Sequence, residues 1–138
     1  MPAFSKSSAA KLASCDPQLQ RLFLEVVKHF DCTVLEGHRS VERQQRLYAQ
    51  GRTAPGPIVT QVDGVRSRGK HNFSPSRAID VAPYPVAWAD TERMTYFAGF
   101  VMGVARQLGI RVRWGGDWDQ DTQTADERFR DLPHFELV

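Results

Sequence analysis

The sequence predicts an α+β fold in which about three helices pack against a small antiparallel sheet in a single domain, residues 1–138. Three observations lead to this prediction. The length of 138 residues is typical of one domain and is enough to bury a substantial core. Apolar residues recur at helical spacing in separate stretches. Short apolar runs that end at glycine or proline alternate with those stretches, as strands do in mixed folds.

The first predicted helix begins at Asp16, which is a favourable N-cap, followed by Pro17 at the first helical position. Its buried face is predicted to consist of Leu19, Leu22, Phe23, Val26 and Val27. A short strand is then expected over 33–36 and is broken by Gly37. Ser40 caps a second predicted helix, which runs to Gly51.

Residues 52–76 are rich in Gly, Pro, Ser and Arg, and we expect a long irregular segment there. A strand is predicted over 78–82 and ends at Pro83. The third and longest helix is predicted from Asp90 to Gly109. Two further strands, over 110–114 and 134–138, flank an acidic loop at 115–131.

Composition excludes several classes of function. The formal net charge of +2 is too small to predict nucleic-acid binding. No apolar run approaches the roughly 20 residues that span a bilayer, so no membrane insertion is expected. The N-terminus lacks the apolar core of a signal peptide, so the product is expected to stay in the cytoplasm unless it is released. Cys15 and Cys32 are expected to be reduced, partly buried thiols.

Two histidines and one aspartate form a candidate metal site. Asp80 interrupts an otherwise apolar strand, where an ionised carboxylate is costly unless it is paired or binds a metal. His71 ends the long irregular segment, and His134 lies in another strand-like run. Two imidazoles and a carboxylate are a standard set for catalytic Zn²⁺. Composition alone leaves ordinary structural roles open for all three residues.

Asp131 lies three residues before His134, where a carboxylate can sit beside a metal and act as a general base. An ordinary loop aspartate is the alternative. The other histidines have simpler interpretations. His29 is expected in the last turn of a helix, where a cation suits the helix dipole. His38 is expected in a turn, in a hydrogen-bonding or solvated role.

The acidic loop predicts a second cation site. Asp117, Asp119 and Asp121 alternate as in a calcium-binding loop, and Asp126 follows. The match is imperfect because Thr122 stands at the position of the usual glycine and Arg128 at the position of the usual glutamate. A solvated acidic loop remains the alternative.

Two other functions are compatible with these residues. A two-histidine, one-carboxylate set also binds Fe(II) in oxygenases, although in those enzymes the first histidine and the carboxylate usually lie closer together. A non-catalytic cell-wall or calcium-binding module is the other alternative, and it gives no reason for Arg39 and Asp131 to stand where they do.

Three stretches together resemble the L-alanyl-D-glutamate peptidases of bacteriophage endolysins, within the wider family of zinc D-alanyl-D-alanine carboxypeptidases and dipeptidases. The stretches are 37–40 (Gly-His-Arg-Ser), 71–80 (from His71 to Asp80) and 131–137 (Asp-Leu-Pro-His-Phe-Glu-Leu). They occur in family order over nearly the whole chain, and the joint pattern is more specific than any one stretch.

The resemblance implies a role for each matching residue. His71, Asp80 and His134 take the zinc-ligand positions, and Asp131 matches the acidic general base. Arg39 matches an arginine that binds substrate and stabilises the oxyanion. Glu136 falls on a position that orients the last histidine. The resemblance also implies that calcium in the acidic loop regulates the enzyme.

Two departures from the family pattern bear on substrate preference. Gly69 stands where many members have serine, so a substrate contact from that hydroxyl is absent or comes from Ser67. The connection over 72–77 is two residues longer than in members with a compact turn.

The implied activity is zinc-dependent hydrolysis of the L-Ala–D-Glu bond in peptidoglycan stem peptides by a phage endolysin. D-alanyl-D-alanine carboxypeptidase activity is the alternative. The resemblance further implies a monomer that is held in the host cytoplasm until holin-assisted release, and that then acts on the cell wall.

Overall fold

The structure is a computed structural model that describes residues 1–65 and 68–138. Within these residues the chain forms four α-helices, one short 3₁₀ helix and four strands. In chain order the elements are α1 (Lys6–Ala13), α2 (Pro17–His29), β1 (Cys32–Glu36), α3 (Val41–Ala49), the 3₁₀ helix (Lys70–Asn72), β2 (Ala78–Pro83), α4 (Thr91–Leu108), β3 (Val112–Trp114) and β4 (His134–Leu137).

The four strands form one antiparallel sheet in the order β1-β2-β4-β3. The α+β prediction is therefore confirmed. The register places Asp80 of β2 directly between Glu36 of β1 and His134 of β4. A bulge in β1 lies between Val34 and Glu36, immediately before this row. Three polar residues from three separate parts of the sequence thus become neighbours across the sheet.

The alternation of side chains along the strands places the hydrophobic core on one face of the sheet and the polar residues Glu36, Asp80 and His134 on the other. Phe135 faces α2 and α4, where its ring meets the edges of Phe23 and Phe97 at centroid distances of 5.5 and 6.2 Å. Ile79 and Val81 belong to the same core. The intervening residues point to the opposite face because side chains alternate along a strand. Packing on one face therefore fixes the direction of the polar side chains on the other.

The predicted ends of the two long helices are confirmed. Asp16 caps α2, with its carboxylate accepting from the amide of Gln18, and the five predicted apolar residues are buried. Asp90 caps α4, which ends at Gly109 in the left-handed conformation, φ 72°. Ser40 likewise caps α3 through the amide of Arg43.

The first helix was not predicted, so the helix count is four instead of about three. The segment of α1 buries only Ser8 and Leu12, which is too few for an apolar periodicity in sequence. Ser8 instead serves a tertiary contact, since its hydroxyl accepts from the amide of Val34 in β1. The strand predicted over 110–114 begins later, at Val112, and the strand predicted to 138 ends at Leu137.

The described residues of the predicted irregular segment, 52–65 and 68–76, are largely irregular apart from the 3₁₀ helix. The two cysteines are free and buried, and burial raises the pKa of Cys15 to about 11 and that of Cys32 to about 12. In the part of the chain that is described, no helix has the length and hydrophobicity needed to cross a membrane.

Candidate metal centre

The centre of the site is the carboxylate of Asp80. Its Oδ1 atom lies 3.3 Å from Nε2 of His71 and 3.2 Å from Nδ1 of His134. Asp80 and His134 are brought together by the register of β2 and β4. His71 comes from the 3₁₀ helix, at the end of the long irregular segment. The structure therefore brings together all three residues that the sequence predicted as metal ligands.

The outer nitrogen of each imidazole is held by a hydrogen bond. Nδ1–H of His71 donates to the carbonyl of Gly37 at 2.8 Å, and Nε2–H of His134 donates to Glu136 at 2.8 Å. Each ring therefore presents its other nitrogen to Asp80, which is how outer partners orient metal-binding histidines. Gly37 is required here, because a Cβ atom would lie 2.4 Å from the carbonyl of Lys11 and from Oγ of Ser14.

The donor set and its spacing fit a metal ion such as Zn²⁺. The three ligand atoms all lie within 4.8 Å of one another. A tetrahedral ion with bonds of about 2.0–2.1 Å separates its ligands by about 3.3 Å. The separations of 3.2 and 3.3 Å from Asp80 to the histidines match that edge. Three protein ligands leave a fourth position for water or substrate.

The charges of Asp80 and His134 compensate each other. Burial alone would raise the pKa of Asp80, but hydrogen bonds from His134 and His71 hold it well below its usual range. Burial alone would lower the pKa of His134, but the hydrogen bonds to Asp80 and Glu136 raise it to about 9. Asp80 and His134 therefore form a charged pair, 3.2 Å apart, in which the imidazolium compensates the carboxylate.

Glu136 lies behind His134, as its predicted orienting role requires. The carboxylate is also paired with Arg113 at 2.7 Å and with Lys70 at 3.2 Å. Burial would raise the pKa of Glu136, but its hydrogen bonds to His134 and Arg113 lower it to about 2. A charged Glu136 accepts the Nε2–H of His134 and so leaves Nδ1 directed at the metal position.

Asp131 reaches the same histidine from the end of the acidic loop. Its Oδ2 lies 3.9 Å from Nδ1 of His134, beside the three ligand atoms. Burial and the negative charge of Asp80 raise the pKa of Asp131 above its usual value. Gly115 permits this approach, because a Cβ there would lie 2.1 Å from the carbonyl of Asp131.

Arg39 lies on the other side of Asp80, with Nη2 at 3.7 Å from Oδ2. Its Nε and Nη2 donate to both oxygens of Glu36, at 2.9 and 2.8 Å. Burial would lower the pKa of Arg39, but the bond to Glu36 raises it, so the guanidinium is permanently charged. A fixed cation therefore stands beside the metal position, where Arg39 was predicted.

Three residues of the site were missed from the sequence. Glu36 lies at the end of the predicted strand 33–36, and it anchors Arg39. Gln44 lies within the second predicted helix, where it is buried and accepts from Arg39. Trp118 was considered only as part of the acidic loop, but its ring centroid lies 5.4 Å from that of His134. The spacing of Glu36 three residues before Arg39 was the one available signal.

The remaining histidines have the simple roles that were expected. His29 is in the last turn of α2, next to Glu25. The Nδ1 atom of His38 lies 2.9 Å from the carbonyl of Phe73, a hydrogen-bonding distance. At Gly69 an added Cβ would make only ordinary contacts, at 3.6 Å, so the fold does not exclude the family's serine. Ser67, the predicted substitute, lies outside the described residues.

The acidic loop gathers its carboxylates into two groups that share one residue. Asp117, Asp119 and Asp121 form the first group, and Asp119, Asp126 and Glu127 form the second. These groups include all four predicted calcium ligands and add Glu127. Exposed acidic groups also cluster without a cation, so the calcium site stays a prediction.

The sequence model of the phage L-alanyl-D-glutamate peptidase family matches residues 2–138. The chain belongs to this family. It is similar to the peptidoglycan L-alanyl-D-glutamate endopeptidase CwlK of Bacillus subtilis, with 34% identity over 116 residues. That match covers 80% of this chain and 63% of CwlK, so the chain spans less than two thirds of that relative.

Two further relatives match over almost their whole length. The L-alanyl-D-glutamate peptidase of Escherichia phage T5 is 28% identical, over 98% of this chain and 97% of the phage enzyme. The crystal structure of the L-Ala D-Glu endopeptidase ChiX of Serratia marcescens has a TM-score of 0.72 and 27% identity. It covers 99% of this chain and 90% of ChiX. The names of these relatives favour neither the carboxypeptidase alternative nor the oxygenase.

We predict that His134→Ala loses the bound metal. One of three ligands is removed, so the metal affinity should fall by more than the roughly 10–100-fold that is typical of losing an outer partner. The measurement is the zinc content of the purified protein after dialysis, by elemental analysis. His29→Ala is the matched control, because His29 is exposed in the last turn of α2 and is paired with Glu25, and this variant should keep its zinc. One zinc per chain in His134→Ala would show that this histidine is not a ligand.

Proposed function

We propose that this protein is a zinc-dependent endopeptidase that hydrolyses the L-Ala–D-Glu bond of peptidoglycan stem peptides. The observation that carries the proposal is the His71–Asp80–His134 group with the carboxylate of Asp131 beside it, at 3.9 Å from His134. Family membership supports the choice of peptide bond, since the relatives from phage T5, B. subtilis and S. marcescens are named for it.

The reaction needs a nucleophile, a base and stabilisation of the oxyanion. Bound zinc would lower the pKa of its water to about 7 and polarise the scissile carbonyl. Asp131 takes the proton of the attacking water as the new C–O bond forms. It returns that proton to the leaving amine as the C–N bond breaks. The guanidinium of Arg39 donates to the developing oxyanion, a contact whose loss typically costs about 10²–10³ in turnover.

The bond that is cut can be identified from the products. We expect digestion of purified sacculi with the protein to leave free L-Ala carboxyl ends on the glycan side and to release peptides that begin with a free D-Glu amino group. Mass spectrometry of the soluble fragments makes this measurement, with a chelator-treated sample as the control. Release of single D-Ala residues from intact stem peptides would instead indicate carboxypeptidase activity and contradict the proposal.

We predict that Asp131→Asn keeps its zinc but loses about 10²–10⁴-fold in activity. The substitution preserves the shape of the side chain and removes the base, and general-base catalysis contributes about that factor. The activity is measured as the loss of turbidity of sacculi or of permeabilised cells, and zinc by elemental analysis.

The matched control for this experiment is Asp31→Asn. The backbone of Asp31 pairs with Tyr84 at the end of β1 and β2 that lies away from the site, and this variant should retain activity. Near-normal lysis by Asp131→Asn would contradict the role of Asp131 as the base. Loss of zinc would instead make Asp131 a ligand.

We also propose that the acidic loop binds calcium in a regulatory role. The support is the gathering of the predicted carboxylates into two groups that share Asp119. The loop leads through Phe129 to Asp131, so an ordered loop would hold the base in place. Calorimetry should show binding in the micromolar to millimolar range that Asp119→Asn abolishes. No binding by the unaltered protein would remove this proposal.

The biological setting that we propose is host lysis by a monomeric phage endolysin. Its substrate partner is the peptidoglycan stem peptide, and its release from the cytoplasm to the wall depends on a holin. The family of phage peptidases supports this setting. In the lysis assay above, intact cells that express the protein alone should keep their turbidity, whereas permeabilised cells lose it. Lysis of intact cells would contradict the dependence on a holin.

A further inference from the structure

We propose that Gln44 is a positioning residue that holds the guanidinium of Arg39 in its catalytic orientation and couples it to the loop at 60–64. This inference rests on the proposed function, because it assigns Gln44 a role in that reaction. Gln44 is buried and belongs to α3, a helix whose other side chains are partly or fully exposed. An amide is buried at a cost of about 1–3 kcal/mol unless its polar atoms are hydrogen-bonded.

Both polar atoms of the Gln44 amide are hydrogen-bonded, and their partners fix the orientation of the amide. Its Nε2 donates to the carbonyl of Val62 at 2.6 Å and to the hydroxyl of Thr60 at 3.2 Å. A carbonyl oxygen can only accept, so the amide cannot rotate by half a turn and place its oxygen there. Its Oε1 must therefore face Arg39, whose Nη1 donates to it at 2.9 Å.

The guanidinium of Arg39 is therefore hydrogen-bonded along two of its edges. Glu36 accepts along the edge that carries Nε and Nη2, and Gln44 accepts at Nη1. A guanidinium has five N–H donors, so these three bonds leave two for Asp80 and the substrate. Without Gln44 the guanidinium would be held along one edge only, by Glu36, and its Nη1 group could shift away from the oxyanion.

The loop at 60–64 packs directly on the same side chain. A Cβ atom at Gly64 would lie 3.0 Å from Cβ and Cγ of Gln44, and the φ of +82° also favours glycine. The hydroxyl of Thr60 additionally accepts from the amide of Val62, which closes the turn around the Gln44 amide. Movement of this loop would therefore be transmitted to Arg39 through one side chain.

The test is the steady-state kinetics of Gln44→Met on a soluble stem tripeptide, L-Ala-γ-D-Glu followed by a diamino acid. Methionine has nearly the same length and shape but offers Arg39 only a weakly accepting sulfur in place of the amide oxygen. We expect kcat to fall by about 10–100-fold, since small misplacements of catalytic groups have effects of this size, with little change in KM. The zinc content should stay at one per chain, because no metal contact is altered.

Three comparison variants separate positioning from stability. Gln50→Met is the matched control, because Gln50 also donates to a carbonyl of the long segment, that of Pro57, without contacting Arg39. It should keep its kcat. Thr60→Val removes only the hydrogen bonds of the Thr60 hydroxyl, which lie between Gln44 and the loop. We expect its main effect to be a lower melting temperature, with only a small effect on kcat. Gln44→Asn retains an amide, but its side chain is too short to reach Arg39. If Gln44→Met does not fold, this variant takes its place in the test and should show the same loss of kcat.

A double-mutant cycle with Arg39→Ala decides whether Gln44 acts through Arg39. We expect Gln44→Met to add little to the loss in Arg39→Ala, since the group that it positions is already absent. An undiminished second loss, or normal kcat in folded Gln44 variants, would overturn the inference while leaving the proposed function intact. Failure of the unaltered protein to cleave the tripeptide would overturn the proposed function itself, and the inference with it.

Discussion

The carboxylate of Asp80 is the group on which the rest of the site depends. It lies in β2, an interior strand of the four-stranded sheet, so its neighbours in β1 and β4 are decided by strand register. One oxygen faces His71 and His134, and the other faces the guanidinium of Arg39. A largely buried carboxylate is costly unless it is paired or binds a metal, and these three neighbours supply the pairing here.

Each of the three side chains that face Asp80 is itself hydrogen-bonded to a second group, further from the carboxylate. His71 donates to a backbone carbonyl, and His134 donates to Glu136, which Arg113 and Lys70 keep charged. Arg39 is held between Glu36 and Gln44 in the same way. The positive and negative charges alternate outward from the centre, so the inner side chains have little freedom to reorient. Such preorganisation is what a metal-dependent hydrolase requires of its ligands and its oxyanion donor.

The elements that sequence reasoning predicted well were those with local signals. The caps at Asp16, Ser40 and Asp90 and the apolar spacing of the two long helices are properties of consecutive residues. Helix α1 was missed because its stability comes from contacts with β1, not from its own periodicity. The calcium prediction and the single-domain prediction stay predictions. Asp80 is conspicuous in an apolar strand, but the resemblance to the peptidase family singled out His71, Asp80 and His134 as a set, and the structure brings the three together.

Local sequence was enough to predict the caps and the buried faces of α2 and α4, and the family resemblance indicated which residues are candidates for a metal, a base and a substrate contact. How these residues are supported follows only from the folded chain. Glu36 and Gln44 read as an ordinary strand end and an ordinary helix residue, because nothing near them in sequence shows that they share Arg39. The physical reason is that hydrogen-bond partners across a sheet or between a helix and a loop are set by register and packing, which act between residues that are distant along the chain.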